Sequence, residues 1–438
     1  METSILTQVH TKGEYNRLGE RIRLSPDSIS PEDLAMLQTL RLSYKNILSS
    51  VFNILVEECR KVDKKMGITT YRVKRIESII SKLQREPKMQ LSRMSDVAGC
   101  RCILYSNDKV YALKEQLEKR LCVKTVNDYI ASPKPNGYKS LHLIVSTFED
   151  TSKTIEIQLR STSDHNWATL VEISDLVYQT KIKELGHDGD LGEFHRLLSH
   201  INEASFTIDT KRKIIDIANR YSYLQKISNI FTKNYIDVRN KWNALKRSNN
   251  SFYLISTDSS GSPEIASFRT FDMAEAAYFE KYRDNTNNCN IVLTHIKGAS
   301  FDTISLAYSN YFLTSNELFS NCYKMMSDLS IDAYNNNRVI EYKNRYKNFL
   351  DITIHILGIH LADYLEYRNK IFQIRSIYKR EEWASSIKRH LNMISDTLLQ
   401  NYRKTPFKWS RLVCSIIKGV LYNDFTKRKI NPYKSQGK

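Results

Sequence analysis

Four short segments between Arg72 and Trp167 combine carboxylates, basic residues and a glycine-containing loop. In chain order they read RVKRIESIISKL, DVAGCRCIL, DYIASPKPNGYKSLHLIV and TIEIQLRSTSDHNWA. Transfer of a phosphoryl or pyrophosphoryl group requires carboxylates that hold Mg²⁺, cations that neutralise a phosphate chain, and a base near the attacking hydroxyl. Because the four segments supply all three, they predict a site for nucleotide phosphates.

The carboxylates that suit this chemistry are Asp96 and Glu156. Asp96 precedes the apolar run Gly99–Tyr105, and Glu156 lies within a second such run, so both are expected beside strands. If these strands are neighbours, the two carboxylates can share one Mg²⁺ with the nucleotide phosphates. Alternation along a strand places Gln158 and Arg160 on the same face as Glu156. Taken alone, each acid also fits a solvated or ion-paired position.

The loop PKPNGYKS can present an aromatic ring to a nucleobase. Pro133 and Pro135 stiffen it and Gly137 permits close backbone approach, so Tyr138 is expected with a ring face exposed for stacking. A turn whose tyrosine packs on the protein is the alternative. Arg101 lies inside an apolar strand, where an unpaired charge is costly, and this favours a phosphate or a stacked base as its partner.

A basic cluster is predicted on the first segment. The spacing of its apolar residues predicts a helix over 72–83 with one apolar face. Its other faces carry Arg72, Lys74, Ser78 and Lys82. These side chains can point into a shared cleft, and a solvated charged face is the alternative.

Alternating and apolar runs predict the elements that hold these residues. Strands are expected near 99–105, 123–129, 140–147 and 154–160, with a helix over 109–120. Helical spacing dominates before residue 60 and returns over 165–183 and 194–247, with a break at GHDGDLGE. The predicted fold class is therefore α/β (α+β), a mixed sheet flanked by helices.

The chain divides into five predicted regions. They are N-terminal helices over 1–70, the mixed α/β core over 71–190, a helical extension over 191–247, a small α/β domain over 248–320 and a basic helical C-terminal region over 321–438. The small domain is expected because the composition shifts at KRSNNS and turn residues follow in DSSGSP. Its predicted order is β-β-α-β-α, ending in a helix through SLAYSNYF.

The formal net charge of +18 points to polyanionic partners. Residues 331–438 hold 21 Lys and Arg against 9 Asp and Glu, a net +12. Basic residues interleaved with aromatics suit an RNA contact, whereas the apolar stripe of WASSIKRHLNMISDTLL suits docking in a protein groove. A helical subdomain with a solvated basic face is the third interpretation.

The sequence also predicts where the protein works. No window approaches the roughly 18 consecutive apolar residues of a membrane span, and the N-terminus METSILTQVHTKGEYNR lacks the pattern of a signal peptide. We therefore expect a cytoplasmic protein without a membrane partner.

In this order, the four segments resemble the synthetase domain of the RelA/SpoT family, the alarmone synthetases that move pyrophosphate from ATP to the 3′-hydroxyl of GDP or GTP. The resemblance covers 71–183. It implies a nucleotidyltransferase-like core, Mg²⁺ as cofactor, ATP as donor and GDP or GTP as acceptor.

The resemblance implies roles on the donor side. Arg72 and Arg101 would embrace the adenine of ATP. Its phosphates would be met by Lys74, Ser78 and Lys82.

The resemblance also implies the metal site and the acceptor side. Asp96 would bind Mg²⁺, and Glu156 would complete the metal site and activate the attacking hydroxyl. Tyr138 would stack on the acceptor base. The residues lining the acceptor side would be Lys134, Asn136, His142, Gln158 and Arg160.

Differences from the family pattern indicate which subgroup of the family the chain resembles. WATLVEI resembles the single-synthetase members, because Ile173 stands where the bifunctional enzymes have the His of a Glu-His pair. Arg75 and Ile76 replace a common Ser-Pro of the first motif. The bifunctional enzymes also carry a hydrolase built on a His-Asp pair. Here the one such pair, His187-Asp188, lies between glycines in a predicted loop, so alarmone hydrolysis is not expected.

A second interpretation concerns the molecule that accepts the pyrophosphate. Toxin-like relatives that pyrophosphorylate the 3′ end of tRNA, and so block translation, keep essentially the same motifs. The basic C-terminal region would then bind RNA, or would act as a regulatory or phage-sensing module that contacts a protein.

Overall fold

A computed structural model describes most of the first 341 residues of the chain. The described residues are 10–64, 67–185, 189–201, 203, 206–227, 241–242, 244–245, 250–257, 263–284, 291–296, 304, 316–341 and 344. The predicted helix through SLAYSNYF, the pair His187 and Asp188, and the tail beyond residue 344 lie outside them. Within the described residues, no helix is long and apolar enough to cross a membrane.

Helices and strands alternate through the region that holds the four segments. The helices are α1 (Lys12–Leu24), α2 (Pro31–Leu42), α3 (Lys45–Val62), α4 (Ile76–Arg85), α5 (Asn107–Arg120), α6 (Thr162–Tyr178), α7 (Ile182–Leu185), α8 (Gly189–Leu198), α9 (Ile208–Arg220), α10 (Phe271–Asp284) and α11 (Asn316–Asn335). The strands are β1 (Ile68–Val73), β2 (Ala98–Leu104), β3 (Cys122–Asp128), β4 (Leu141–Ser146), β5 (Ile155–Ser161), β6 (Phe252–Thr257), β7 (Pro263–Phe268) and β8 (Ile291–His295).

The N-terminal helices predicted before residue 60 are present, and local signals explain where two of them begin. Thr11 caps α1 in a capping box with Glu14. Ser30 caps α2, whose first residue is Pro31. The amphipathic α3 then buries apolar side chains, including Phe52, in the main core.

The strands form one eight-stranded sheet in the order β3-β4-β5-β2-β1-β8-β6-β7. β2 and β5 pair in parallel, and the other neighbours pair antiparallel, so the sheet is mixed. The predicted strands of the central segments correspond to β2, β3, β4 and β5, and the helix predicted over 109–120 is α5. The predicted α/β class with a mixed sheet and flanking helices is confirmed.

The predicted helix over 72–83 begins too early. Arg72 lies in β1, and the helix starts only at Ile76. The segment ITTYRV is rich in β-branched and aromatic residues, which favour a strand, and β1 pairs along its whole length with β2. Arg72 and Lys74 therefore reach the site from the sheet and from the residue just after it, whereas Lys82 reaches it from α4.

The small α/β domain expected over 248–320 is not separate from the sheet. β8 pairs with β1, and β6 and β7 continue the sheet beyond it. The physical reason is the edge of β1 that does not face β2, because the backbone groups along that edge need hydrogen-bond partners and β8 supplies them. Helix α10 is also bonded to the end of β1, because the Tyr278 hydroxyl accepts a hydrogen bond from the Val73 amide at 2.9 Å.

A second compact unit contains two of the described helices, α9 and α11. Among its described residues, α9 packs against α11. Lys211 and Asp328 pair at 2.8 Å across these helices. The pairing of two amphipathic helices buries the apolar faces that neither helix covers alone.

Candidate active site

A polar pocket of about 330 Å³ is lined by residues of β1, β2, β4, β5, α4, α6 and the adjoining loops. It gathers all but one of the residues assigned to a nucleotide site in the sequence. Those that line it are Arg72, Lys74, Lys82, Asp96, Arg101, Lys134, Asn136, Tyr138, His142, Glu156, Gln158 and Arg160. The exception is Ser78, which is half-buried on α4 and is not part of the lining.

Asp96 is held between two lysines. Lys74 Nζ donates to Oδ2 at 2.7 Å, and Lys82 Nζ donates to Oδ1 at 3.0 Å. The Lys74 amide donates to the Val97 carbonyl at 2.8 Å, which fixes the residue after β1 beside the start of β2. Burial alone would raise the pKa of Asp96, but the two ammonium groups lower it below its usual range. The carboxylate is therefore ionised at neutral pH.

The lysines of this cluster carry more charge than Asp96 neutralises. Burial lowers the pKa of Lys74 although Asp96 and its hydrogen bond oppose that shift. Three partly buried charged groups, with side chains only 16–19% exposed, leave a net charge of +1. A phosphate chain entering beside Lys74 and Lys82 would compensate that charge.

Glu156 forms the opposite side of the site, on β5. Its Oε1 lies 2.9 Å from His142 Nδ1, and its Oε2 accepts a hydrogen bond from Gln158 Nε2 at 2.8 Å. Burial alone would raise the pKa of Glu156, but His142 and Gln158 lower it to about 2. The side chain thus presents an ionised carboxylate to the pocket.

The strands that position the two carboxylates are neighbours, with Asp96 two residues before β2 and Glu156 within β5. β2 and β5 are hydrogen-bonded in parallel, and Glu156 pairs with Gly99, three residues after Asp96. Both acids line the same pocket. No group of three or more His, Cys, Asp or Glu suited to a metal occurs among the described residues. A metal at this site would therefore take further ligands from a substrate or from water.

Tyr138 lines the pocket, but its ring is not the openly exposed platform expected from the sequence. The residue is half-buried, with Arg160 Cζ 5.0 Å and Lys134 Nζ 5.2 Å from the ring centroid. The loop turns inward at Gly137, which has φ +90° and leaves no room for a Cβ atom beside Ser199. The ring is thus already flanked by cations.

The Tyr138 hydroxyl is contacted by two polar side chains, Arg160 and His142. Arg160 Nη2 donates to it at 2.5 Å, and His142 Nε2 lies 2.8 Å away. Burial alone would raise the pKa of Tyr138, but the charges of Arg160 and His142 lower it to about 7. The hydroxyl is consequently an unusually strong acid for a tyrosine.

Arg101 is a cation of the pocket whose hydrogen-bond donors are only partly satisfied. Its Nε is buried without a hydrogen-bond partner, and Nη2 reaches Gln158 Oε1 only at 3.5 Å. Burial and the neighbouring Arg160 and Arg72 lower the pKa of Arg101 to about 9. A guanidinium in this situation is suited to an aromatic face or to an anionic ligand.

The sequence interpretation missed two further acids that line the pocket, Glu86 and, on α6, Glu172. Glu172 pairs with Lys183 at 2.7 Å. Burial would raise its pKa, but Lys183 and Arg101 hold it well below the usual range. The signal was present: Trp167, Ala168, Val171 and Glu172 have the spacing of one helix face directly after the Glu156 strand, and all four line the pocket.

Known proteins are similar in sequence to the part of the chain that holds the four segments. Residues 71–183 match the family model described as a region found in RelA / SpoT proteins. The GTP pyrophosphokinase YwaC of Bacillus subtilis is 34% identical over 137 residues, which cover 28% of this chain and 65% of YwaC. The GTP pyrophosphokinase YjbM of the same organism is 33% identical over 124 residues, which cover 26% of this chain and 59% of YjbM.

Among solved structures, small alarmone synthetase 1 from Bacillus subtilis is similar with 23% identity and a TM-score of 0.32. The similarity covers 43% of this chain and 96% of that one. The matched family region begins within β1 and ends at Lys183, so it contains every lining residue of the pocket except Thr70. The part of the chain that is similar to the RelA/SpoT region is thus the part that builds most of the pocket.

Proposed function

We propose that this pocket transfers pyrophosphate from ATP to the 3′-hydroxyl of GDP or GTP. The observation that carries the proposal is the pairing of two clusters in one pocket, the cations around Asp96 and the carboxylate of Glu156. The lining holds eight Lys and Arg against four Asp and Glu, an excess of four positive charges. Such an excess suits two polyphosphate substrates bound side by side.

The family match supports the same chemistry. The relatives YwaC and YjbM are GTP pyrophosphokinases. The matched segments span 65% and 59% of their lengths, so the activity is carried over to this chain as a proposal. The family match over residues 71–183 contains the carboxylates and the cations on which the proposed chemistry depends.

On the donor side, Lys74 and Lys82 would release the Asp96 carboxylate and bind the phosphate chain of ATP in its place. Charge-assisted hydrogen bonds to phosphate are stronger than those between neutral groups, and both ammonium groups already point to one place. Arg101 would meet the adenine ring, because its guanidinium lacks a full set of partners. Arg72, on the neighbouring strand, lines the same end of the pocket.

Mg²⁺ fits the donor set that the pocket provides. Mg²⁺ in nucleotide sites is held by one or two carboxylates together with substrate phosphates and water, and Asp96 and Glu156 are two such carboxylates. Asp96 is released for this role when its lysines turn to the phosphates. Bound there, Mg²⁺ supplies charge neutralisation and orientation of the phosphate chain.

In the proposed reaction the 3′-oxygen of the acceptor attacks the β-phosphorus of ATP. A new oxygen–phosphorus bond forms, the bond from the β-phosphorus to the bridging oxygen of the α-phosphate breaks, and AMP leaves. The hydroxyl proton passes to Glu156 and then to solvent. A carboxylate with a pKa of about 2 holds a proton weakly, so Glu156 acts mainly by orienting the hydroxyl until bond formation acidifies it.

The acceptor side would use Tyr138 for the base, with Lys134 and Arg160 close enough to contact acceptor phosphates. A 3′ end of tRNA is the second candidate acceptor, favoured by the net +12 of residues 331–438. ATP and guanine nucleotides are cytoplasmic pools, so we expect the activity in the cytoplasm.

The test uses ATP labelled in the β-phosphate, incubated with the full chain and Mg²⁺ in the presence of GDP, GTP or bulk tRNA. We expect the label on GDP or GTP, and we expect Glu156→Gln to reduce it by about 10²–10⁴-fold. Glu149→Gln, at an exposed position next to β4, is the matched control and should label normally. Label on tRNA alone would assign the second acceptor, and label on no acceptor would overturn both.

A further inference from the structure

Five polar side chains of the acceptor side form a closed ring of hydrogen bonds. Tyr138 contacts His142 at 2.8 Å, His142 contacts Glu156 at 2.9 Å and Gln158 donates to Glu156 at 2.8 Å. Arg160 closes the ring with bonds to Gln158 at 3.2 Å and to Tyr138 at 2.5 Å. Each member therefore has two partners within the ring.

The sheet explains why the ring forms. His142 of β4 lies directly opposite Gln158 of β5. Because side chains alternate, Glu156 and Arg160 lie on the same face as Gln158, one pleat to either side. His142 is thus next to the carboxylate, and the loop before β4 brings the Tyr138 hydroxyl to its other nitrogen.

His142 is fixed in place as well as centrally located. Its side chain is only 12% exposed, and the Tyr129 ring stands edge to face against it at 5.3 Å. Both ring nitrogens are occupied, Nδ1 by Glu156 and Nε2 by Tyr138. A rotation that kept one of these bonds would break the other.

Two routes connect the tyrosine with the carboxylate around the ring. One passes through His142 alone, and the other passes through both Arg160 and Gln158. The second route uses two long, flexible side chains, whereas the first uses one rigid aromatic ring. The position of Tyr138 therefore constrains the position of Glu156 more tightly through His142 than through Arg160 and Gln158.

We propose that His142 is a positioning residue that joins Tyr138 and Glu156 into one unit, so that the base-binding tyrosine sets the place of the carboxylate at the reaction centre. The inference rests on the proposed function, in which Tyr138 meets the acceptor base and Glu156 meets its hydroxyl. The 3′-hydroxyl of a bound acceptor would then be aligned with the Glu156 carboxylate in two ways. One is through the protein, from Tyr138 by way of His142, and the other is through the ribose of the acceptor itself.

The two nitrogens of His142 can be tested separately. Asn places its amide nitrogen at the position of Nδ1, so His142→Asn keeps a donor for Glu156 and loses the contact with Tyr138. Gln reaches the position of Nε2, so His142→Gln keeps a contact with Tyr138 and loses the donor for Glu156. Tyr138→Phe removes the hydroxyl while retaining the ring for stacking.

The kinetic test is a double-mutant cycle on kcat. Tyr138→Phe should lower kcat about five- to twentyfold in the parent chain, the size of one lost hydrogen bond to a charged network. In the His142→Asn background the same substitution should change kcat less than about twofold, because the connection is already broken. His142→Gln should lower kcat more than it changes KM for the acceptor. Equal effects of Tyr138→Phe in both backgrounds would overturn the proposal.

A second cycle needs no activity and therefore separates this inference from the proposed function. No hydrogen bond joins Tyr138 and Glu156 directly in the described ring. The Tm shifts of Tyr138→Phe and Glu156→Gln should nevertheless fail to add in the parent chain, and should add when His142 is Asn. Additive shifts in both backgrounds would contradict the coupling even if pyrophosphate transfer is observed, whereas absence of transfer with non-additive shifts would contradict only the proposed function.

Discussion

Gly99 and Glu156 lie opposite each other in the parallel pair of β2 and β5, and a Cβ atom on Gly99 would come within 2.9 Å of the Glu156 carbonyl oxygen. The two strands approach this closely only because residue 99 has no side chain. Asp96 lies three residues before Gly99. The spacing of the two carboxylates in the pocket therefore depends on this contact.

Gly99→Ala should push β2 and β5 apart, because the atom it meets belongs to the backbone and cannot turn aside. We expect a loss of roughly 1–3 kcal/mol of unfolding free energy and a lower kcat, measured by chemical denaturation and by transfer assays. Gly13→Ala is the control, since Gly13 is exposed on α1 and the nearest atom to an added Cβ, on the Arg17 side chain, lies at 3.8 Å. It should stabilise the chain by roughly 0.5–1 kcal/mol. Equal stability of the two variants would exclude a role for the close approach.

Asp96→Asn should separate binding from turnover. The substitution removes the carboxylate that competes for Lys74 and Lys82, so ATP without metal should bind about three- to tenfold more tightly, a change near 1 kcal/mol. Transfer in the presence of Mg²⁺ should fall about 100-fold or more. Calorimetry in a chelator and steady-state kinetics measure the two effects. Asp108→Asn, exposed on α5, should change neither. Weaker metal-free binding by Asp96→Asn would show that Asp96 does not compete with phosphate.

Tyr138 should ionise near neutral pH. Arg160 and His142 lower its pKa to about 7 against the opposing effect of burial, whereas an unfolded tyrosine titrates near about 10. Lys134 also lies by the ring, 5.2 Å from its centroid. The pKa of Tyr138 is thus lower in the folded chain than in the unfolded chain, so ionisation of Tyr138 stabilises the folded state. This contribution to the free energy of unfolding is complete above about pH 10 and is lost as the pH falls through about 7.

The measurement for Tyr138 is the ultraviolet absorbance of tyrosinate in the free protein. Among 26 tyrosines, one should contribute a step near pH 7 that is absent from Tyr138→Phe. A parent chain without phenolate absorbance below about pH 9 would contradict the lowered pKa.

Glu172 and Lys183 should differ in importance although they form one ion pair. Glu172 also balances the buried Arg101, so Glu172→Gln should lower Tm and weaken ATP binding. The Lys183 side chain is 59% exposed, so Lys183→Met should cost no more than about 1 kcal/mol. Thermal unfolding with and without ATP checks both variants. Equal losses would mean that the pair, and not Arg101, determines the role of Glu172.

Strand periodicity made much of the core predictable. In β5 the apolar Ile155, Ile157 and Leu159 are buried, and the intervening Glu156 and Gln158 line the pocket, as alternation predicts. The end of β1 resembles helix in the sequence because its last residues continue the apolar spacing of α4. The β-branched and aromatic residues of ITTYRV favour a strand, and the pairing with β2 shows that a strand forms.

Contacts between distant parts of the chain could not be predicted in this way. β1 pairs with β8 more than 200 residues later, for example Thr69 with His295, and no local pattern specifies that partner. The half-burial of Tyr138 likewise depends on Gly137 packing against Ser199. Residue types and spacing predicted most of the polar residues that line the pocket, but the ring of hydrogen bonds around His142 depends on strand register.

The most direct test of the central claim is the stoichiometry of the products formed from ATP and GDP with Mg²⁺. Pyrophosphate transfer predicts one AMP for each GDP converted to a product bearing two additional phosphates on the 3′-oxygen, with little ADP. Phosphorus NMR and chromatography of the same reaction give both quantities. Formation of ADP in place of AMP, or of AMP without a modified acceptor, would contradict a pyrophosphate transferase at this pocket.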